Sequence, residues 1–235
     1  DLFASRLKEY DIYPIVSHMP YLPNLASPRE EVYARSVEAL IDELMRCQLL
    51  GIPYIVTHLG SNLGTGMESG RGRIAEALMK AITHSGGEVV ILLENSAGTK
   101  NSMGSTFNDI ASIIDSLPGQ SSRLGVCLDT CHLFAAGYDL RTPPALDKTL
   151  EEFESCIDPK RLKLVHLNDC RGTLGSHLDR HEHIGLGQIG LEGFRSILCH
   201  PLLRGRAMIM ETPVDSRRDD KGNLDVARAL ISGME

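Results

Sequence analysis

Six short apolar runs recur along this chain, and each one stops at a residue that can bind a metal ion. Short β-branched runs that are each followed by a turn and a helical pattern are typical of buried parallel strands in an α/β protein. Because strand carboxyl ends meet on one face of a closed parallel barrel, these residues are predicted to share one site. The runs, each with the residue that follows it, are Ile12–Ser17 with His18, Ile52–Thr57 with His58, Val89–Leu93 with Glu94, Gly125–Leu128 with Asp129, Leu162–Val165 with His166 and Ala207–Met210 with Glu211.

Helical patterns separate these runs. The clearest covers Pro28 to Leu50, where Ser27 and Glu30 form a capping-box pattern, Pro28 stands at the first helical position and Gly51 ends the helix. No linker or change of composition interrupts the chain, so residues 1–235 are predicted to form a single domain. Weaker helices are predicted near Arg73–Thr83, Thr106–Leu117, Ala145–Ile157, Leu191–Leu198 and Leu224–Ile231, and Leu2–Tyr10 resembles the end of a helix.

Six strand–helix units are too few for the common eight-stranded (β/α)8 TIM barrel. Either the sheet is open, or two βα units precede residue 1 in the intact protein. We favour the second interpretation, because ligands at every strand end need closure to meet. The covered chain is therefore predicted to be a barrel fragment with two unpaired strand edges.

The bulk composition restricts the classes of function. The formal net charge of −7 argues against a basic surface that coats DNA, but three divalent ions would add +6 and bring −7 to −1 at one face. No apolar stretch approaches the ~20 residues of a membrane span, and the start resembles no signal peptide. The six cysteines lack zinc-ribbon spacing and are interpreted as reduced structural thiols of an intracellular protein.

Imidazole and carboxylate groups together suit zinc or a similar transition metal better than magnesium or calcium. Glu94, Asp129 and Glu211 follow apolar runs, and a buried carboxylate must be paired or metal-bound. Asp179 and His181 are two residues apart, so an extended loop places both on one side. Nine ligands are too many for one ion and fit three ions if one carboxylate bridges two of them. The nine are His18, His58, Glu94, Asp129, His132, His166, Asp179, His181 and Glu211.

The remaining histidines are assigned no ligand role. His177 and His183 are interpreted as solvated or supporting residues of the same loop, and His84 and His200 as surface residues near element ends.

Several segments resemble the signatures of one family. Residues 125–139, with the sequence GVCLDTCHLFAAGYD, closely resemble a signature of the endonuclease IV family of apurinic/apyrimidinic (AP) endonucleases. The other matching segments follow in the family's order: His18 with Tyr21 and Asn24, His58 with Gly60 and Ser61, Glu94 with Asn95, residues 166–169 (HLND), Asp179 to His181, residues 184–190 (IGLGQIG) and Glu211 to Pro213.

This resemblance implies a TIM barrel that holds three zinc ions and cuts duplex DNA on the 5′ side of an abasic site, with trimming of blocked 3′ ends as a further activity. His18 and His58 would bind one zinc, and Glu94 would bridge it to the second. Asp129, His166 and Glu211 would complete the second site, while His132, Asp179 and His181 would hold the third. Glu94, His132 and Asp179 would act catalytically through the bound zinc. A monomer is expected, in the cytoplasm of a bacterium or archaeon or in a eukaryotic nucleus or mitochondrion.

The DNA contacts are predicted at Tyr21, Asn24, Ser61, Asn62 and Arg180. Tyr21 is our candidate for a side chain that enters the duplex, and the alternative is that it packs against the barrel rim. Arg180 would either orient Asp179 or hold a phosphate. Asn62 stands where the family suggests a histidine, and His177 where an arginine is common, so both departures concern DNA contacts rather than metal ligands.

Two other functions are compatible with the same pattern. A metal-dependent sugar isomerase on the same barrel would use more carboxylates and a catalytic lysine, and no lysine follows a strand end among the site segments. A non-catalytic binder of DNA lesions would have an eroded ligand set, whereas all nine positions are intact.

Overall fold

The computed structural model of the protein describes residues 2–232. Its main sheet consists of β1 (Val16–His18), β2 (Tyr54–Thr57), β3 (Val90–Glu94), β4 (Leu124–Asp129), β5 (Leu162–His166) and β8 (Ala207–Ile209). Two further short strands, β6 (Asp169–Cys170) and β7 (His181–Glu182), pair in antiparallel fashion between β5 and β8. The helices are α1 (Leu2–Glu9), α2 (Glu30–Leu50), α3 (Met67–Ser85), α4 (Phe107–Asp115), α5 (Thr130–Ala136), α6 (Pro143–Cys156), α7 (Gly190–Cys199) and α8 (Asp220–Ser232).

The six main strands are all parallel and follow the order β1, β2, β3, β4, β5, β8. Within residues 2–232, β1 pairs only with β2 and β8 pairs only with β5, so the sheet is an open part of a barrel. The predicted TIM-barrel fold with two unpaired edges is confirmed in the described residues. Parallel pairing puts all six strand carboxyl ends at the same edge of the sheet, which is where the site forms.

The two faces of the sheet are packed differently. The outer face is buried beneath the helices, with Ile55, Ile91, Val126 and Phe107 fully enclosed in one large apolar core. The inner face carries a smaller cluster of Val56, Leu92, Cys127 and Leu164. These four side chains form the floor below the strand ends, so the site rests on close-packed apolar groups that hold the ligand-bearing strands in register.

Helix α2 shows one correct and one wrong prediction. Gly51 ends the helix in the left-handed conformation (φ 71°), as expected of a C-terminal glycine. The predicted capping box is wrong, because the N-cap is Arg29 and no side chain caps it. The Ser27 hydroxyl instead accepts a hydrogen bond from the Arg29 amide at 3.1 Å, a local turn that displaces the helix start past Pro28 to Glu30.

The first strand starts later than expected, and α5 is not among the helices predicted from the sequence. β1 begins at Val16 rather than Ile12, and Ile12 and Tyr13 are exposed. Helix α5 follows β4 directly, because Asp129 is its N-cap and accepts a hydrogen bond from the His132 amide at 2.7 Å. No helix in the described part of the chain is long and apolar enough to cross a membrane. All six cysteines lie within that part and are free thiols, as predicted.

Candidate metal centre

Glu94 lies at the centre of the site. It is the last residue of β3 and is buried, and its two oxygens face different histidines. Oε2 is 3.1 Å from His18 Nε2 and 2.9 Å from His58 Nε2, whereas Oε1 is 2.9 Å from His166 Nδ1. Burial opposes ionisation, but hydrogen bonds from these three imidazoles hold the pKa of Glu94 well below its usual range. This carboxylate is therefore placed to bridge two cations. We call His18, His58 and Glu94 the first group.

The second group consists of Glu94, Asp129, His166 and Glu211. His166 Nδ1 lies 3.3 Å from Glu211 Oε2 and 3.9 Å from Asp129 Oδ2. Asp129 is fully buried, and its Oδ2 also accepts a hydrogen bond from Asn168 Nδ2 at 2.7 Å. The argument from buried carboxylates holds for Glu94 and Asp129 but is wrong for Glu211, whose side chain is 38% exposed. The reason is that β8 is an edge strand in the described sheet and ends at Ile209.

The third group consists of His132, Asp179 and His181. His132 Nε2 is 3.2 Å from Asp179 Oδ1, and His181 Nε2 is 3.7 Å from the same oxygen. The hydrogen bond from His132 lowers the pKa of Asp179. His181 Nε2 is buried and has no hydrogen-bond partner among the described residues. A buried nitrogen without a hydrogen-bond partner costs free energy of folding. A cation between His181 Nε2 and the carboxylates of Asp129 and Asp179 would give this nitrogen a partner. The donor set thus fits a metal ion.

The histidine rings are oriented by backbone carbonyls. The Nδ1 atoms of His18, His132 and His181 lie 2.7, 3.0 and 3.0 Å from carbonyl oxygens of Met19, Asn95 and Glu211. An Nδ1–H that donates to a carbonyl fixes the ring with Nε2 towards the carboxylates, where Nε2 can bind a metal ion once it carries no proton. His166 differs, because its Nδ1 atom is the one that faces the carboxylates. All nine predicted ligands are thus brought together at the strand carboxyl ends.

Two of the predicted DNA contacts, Asn62 and Asn24, form hydrogen bonds within the protein. Asn62 is buried, its Nδ2 donates to the sulfur of Met67 at 3.4 Å, and its Oδ1 accepts from the Gly64 amide at 2.8 Å, so its contact with DNA stays a prediction. Asn24 Oδ1 accepts from the Ser61 and Ala26 amides, so its side chain ties the loops after β1 and β2 together.

The loop after β1 presents apolar side chains to solvent. The Tyr21 ring is 83% exposed, and its only ring contact among the described residues is an edge contact with His58, at 6.3 Å between centroids. The neighbouring Leu22, which sequence reasoning missed, is 88% exposed. Both line a cavity of about 270 Å³ that also reaches Ser61, Ser96 and four of the candidate ligands, His58, Glu94, His132 and Asp179. The sequence signal for Leu22 was its position next to Tyr21 in the loop that follows His18.

Three further polar residues are placed by the structure. Arg180 is exposed and donates to the backbone carbonyl of Asp179 at 2.8 Å, not to its carboxylate. His177 is exposed, as predicted, and its Nδ1 lies 3.1 Å from the Ala97 carbonyl oxygen. Of the two roles expected for His183, the structure favours the supporting one, because this ring is fully buried between Asp215 and Asn223.

Comparison with known proteins places this site in a family. A family model described as a xylose isomerase-like TIM barrel matches residues 1–232. A probable endonuclease 4 from Methanoculleus marisnigri is 54% identical to the chain, over 97% of this chain and 81% of its own length. The chain belongs to the endonuclease IV family. The predicted family is thus confirmed, and so is the barrel fold.

Solved structures support the same placement. The crystal structure of endonuclease IV from Thermus thermophilus matches with a TM-score of 0.85 and 35% identity, over 98% of this chain and 80% of that chain. A D-tagatose 3-epimerase-like protein matches with a TM-score of 0.70 but only 20% identity. That second likeness shows a shared fold alone and gives no support to the sugar isomerase alternative.

Proposed function

We propose that this endonuclease IV family member hydrolyses the phosphodiester bond on the 5′ side of abasic sites in duplex DNA and works with three zinc ions. The products would be a 3′-hydroxyl and a 5′-deoxyribose phosphate. The observation that carries the proposal is the position of Glu94, whose two oxygens face separate sets of histidines in a site of five imidazoles and four carboxylates.

Each group would hold one ion, with Glu94 shared by the first and second groups. Bound zinc would supply positive charge for the phosphoryl group and would lower the pKa of an attacking water towards ~7. Neighbouring residues hold two of these candidate ligands. Asn168 holds Asp129 through its Oδ2, and the Asn95 carbonyl holds the ring of His132. These contacts keep ligands in place before substrate binds, which reduces the reorganisation that catalysis requires.

The cavity next to the ligands would select the abasic nucleotide. At about 270 Å³, and with Ser61, Ser96 and Ser102 among its lining residues, it suits a sugar and phosphate. Moving a nucleotide out of the duplex costs least where no base must be unstacked or unpaired. Tyr21 and Leu22 project beside the cavity and would occupy the gap that the displaced nucleotide leaves.

Incision of a duplex oligonucleotide with one stable abasic analogue tests the proposal. We expect cutting on the 5′ side, abolished by prolonged chelation and restored by zinc. His132→Ala should lose most of the rate while the protein stays folded, because His132 belongs to the third group. His84→Ala, a change of an exposed histidine on α3, is the matched control. Zinc-loaded, folded protein that leaves abasic DNA intact would refute the proposal.

A further inference from the structure

Asn223 is a fully buried polar residue on α8 that lies outside the three ligand groups. Its amide is completely engaged. Oδ1 accepts from the Ile184 amide at 3.1 Å and from Arg218 Nη1 at 3.3 Å. Nδ2 lies 2.9 Å from Thr212 Oγ1, 3.0 Å from His183 Nδ1 and 3.1 Å from the Asp219 carbonyl. One side chain therefore joins two segments that are far apart in sequence.

Both segments carry members of the ligand groups. Thr212 directly follows Glu211, while His183 and Ile184 follow His181 by two and three residues. The segments also touch at the level of the ligands, because His181 Nδ1 lies 3.0 Å from the Glu211 carbonyl oxygen. Through these contacts Asn223 supports the spacing between Glu211 of the second group and His181 of the third group.

A second contact, between His183 and Asp215, also joins the two segments. His183 Nε2 lies 3.1 Å from Asp215 Oδ1, and Asp215 is four residues beyond Glu211 on the same segment. His183 is therefore fixed on one side by Asn223 and on the other by Asp215. A carboxamide is well suited to the central position, because it is a side chain that offers donors and an acceptor at one end without charge.

We propose that Asn223 is a positioning residue that sets the distance between Glu211 and His181, and through it the geometry of the second and third metal sites. The inference rests on the proposed function, since it takes Glu211 and His181 as metal ligands. Removing the amide releases Thr212 from His183 and leaves the spacing of the two segments to the weaker set of contacts His181–Glu211 and His183–Asp215. Asn223 has no hydrogen bond to His18, His58 or Glu94, so we expect the ion of the first group to keep its affinity although Glu94 is shared with the second group.

Metal counting tests the proposal without relying on DNA incision. The metal-free protein is dialysed against graded concentrations of free zinc, and bound zinc per chain is measured. We expect the parent to take up three ions. Asn223→Ala should retain one ion with parental affinity and bind the other two about 10- to 100-fold more weakly. Asn223→Asp is the second variant, because it keeps the volume and the acceptor but loses the donors, and we expect a loss at the same two sites.

Leu230→Ala is the matched control. It lies on the same helix and is buried, and removing its side chain weakens the packing of α8 without removing any hydrogen bond to the ligand-bearing segments. Its zinc binding should equal that of the parent. The inference is overturned if both Asn223 variants bind three ions with parental affinity, or if Leu230→Ala loses the same ions. A parent that binds no zinc instead refutes the proposed function, and with it the inference.

Discussion

At the scale of single residues, the negative charge of Glu94 matters more than its shape. Glu94→Gln keeps the volume but removes the charge that faces His18, His58 and His166. We expect it to bind fewer zinc ions and to lose at least about 10²-fold in single-turnover incision. Zinc content and quenched-flow kinetics are the measurements. Glu192→Gln, an exposed change on α7, should match the parent. Full zinc content and rate in Glu94→Gln would rule out the bridging role.

His166 makes zinc binding depend on pH. Burial opposes its protonation, but the hydrogen bond and charge of Glu94 raise the pKa of His166 to about 9. In the metal-free protein this ring is therefore protonated at pH 7, and zinc must displace the proton. Apparent affinity should rise roughly tenfold per pH unit for each displaced proton and level off near the raised pKa. Competition with a chromophoric chelator between pH 7 and 9 measures this, and a flat profile would contradict it.

Tyr21 should contribute to recognition rather than to chemistry. Its ring is exposed beside the cavity, so Tyr21→Ala removes a surface that would fill the displaced nucleotide's place. Affinity for abasic duplex should fall about 10-fold, while affinity for intact duplex changes little. Fluorescence anisotropy with both duplexes measures the difference. Tyr10→Ala, another exposed tyrosine, is the control. Equal affinity of Tyr21→Ala and parent for abasic DNA would return Tyr21 to a passive surface residue.

At the scale of elements, the β6–β7 hairpin depends on Asp169. This buried carboxylate accepts hydrogen bonds from the amides of Cys170, Gly185, Gly187 and Ile189 at 2.8 to 3.0 Å. It closes the segment after His181 into a compact loop. Asp169→Ala leaves these donors without a partner and should lower the free energy of unfolding by about 2–4 kcal/mol.

Urea unfolding measures that loss, and hydrogen exchange should show faster exchange at Gly185 and Gly187. Asp225→Ala, an exposed change on α8, should leave both unchanged. Slow exchange in Asp169→Ala would mean that the loop is held by other contacts.

Sequence reasoning located the elements well and their starts less well. Strand ends and the C-terminus of α2 follow from local patterns, because apolar periodicity and a glycine in the left-handed conformation are properties of short segments. The starts of α2 and β1 depend on competing hydrogen bonds and on neighbouring strands. The burial of Asn62 beside Met67 and Met103 likewise depends on tertiary contacts, and no local sequence pattern predicts it.

At the scale of the whole molecule, the site joins sheet edges that strand pairing leaves apart. His18 ends β1 and Glu211 follows β8, the two edge strands of the described sheet. Yet ligand atoms of His18, His166 and Glu211 lie within 4.8 Å of one another. Bound ions would therefore link the two edges.

Zinc should stabilise the protein as a whole, because it binds a site that only the folded state assembles. Returning zinc to the chelated protein should raise the melting temperature by at least about 8 °C. Calorimetry measures the shift, and magnesium, which disfavours imidazole ligands, should give little change. An unchanged melting temperature with zinc would contradict an ion-linked sheet.

The order of strands and helices, the identity of the nine candidate ligands and the family could all be derived before any coordinates, because each rests on periodicity or on contiguous motifs. The grouping of the ligands came from the family resemblance and not from local patterns, since His18 and Glu211 are 193 positions apart and converge only through the curvature of the sheet. The supporting contacts of Asn223 and His183 likewise depend on folding. Hydrogen bonds between distant segments depend on how those segments pack together, and short sequence patterns do not predict that packing.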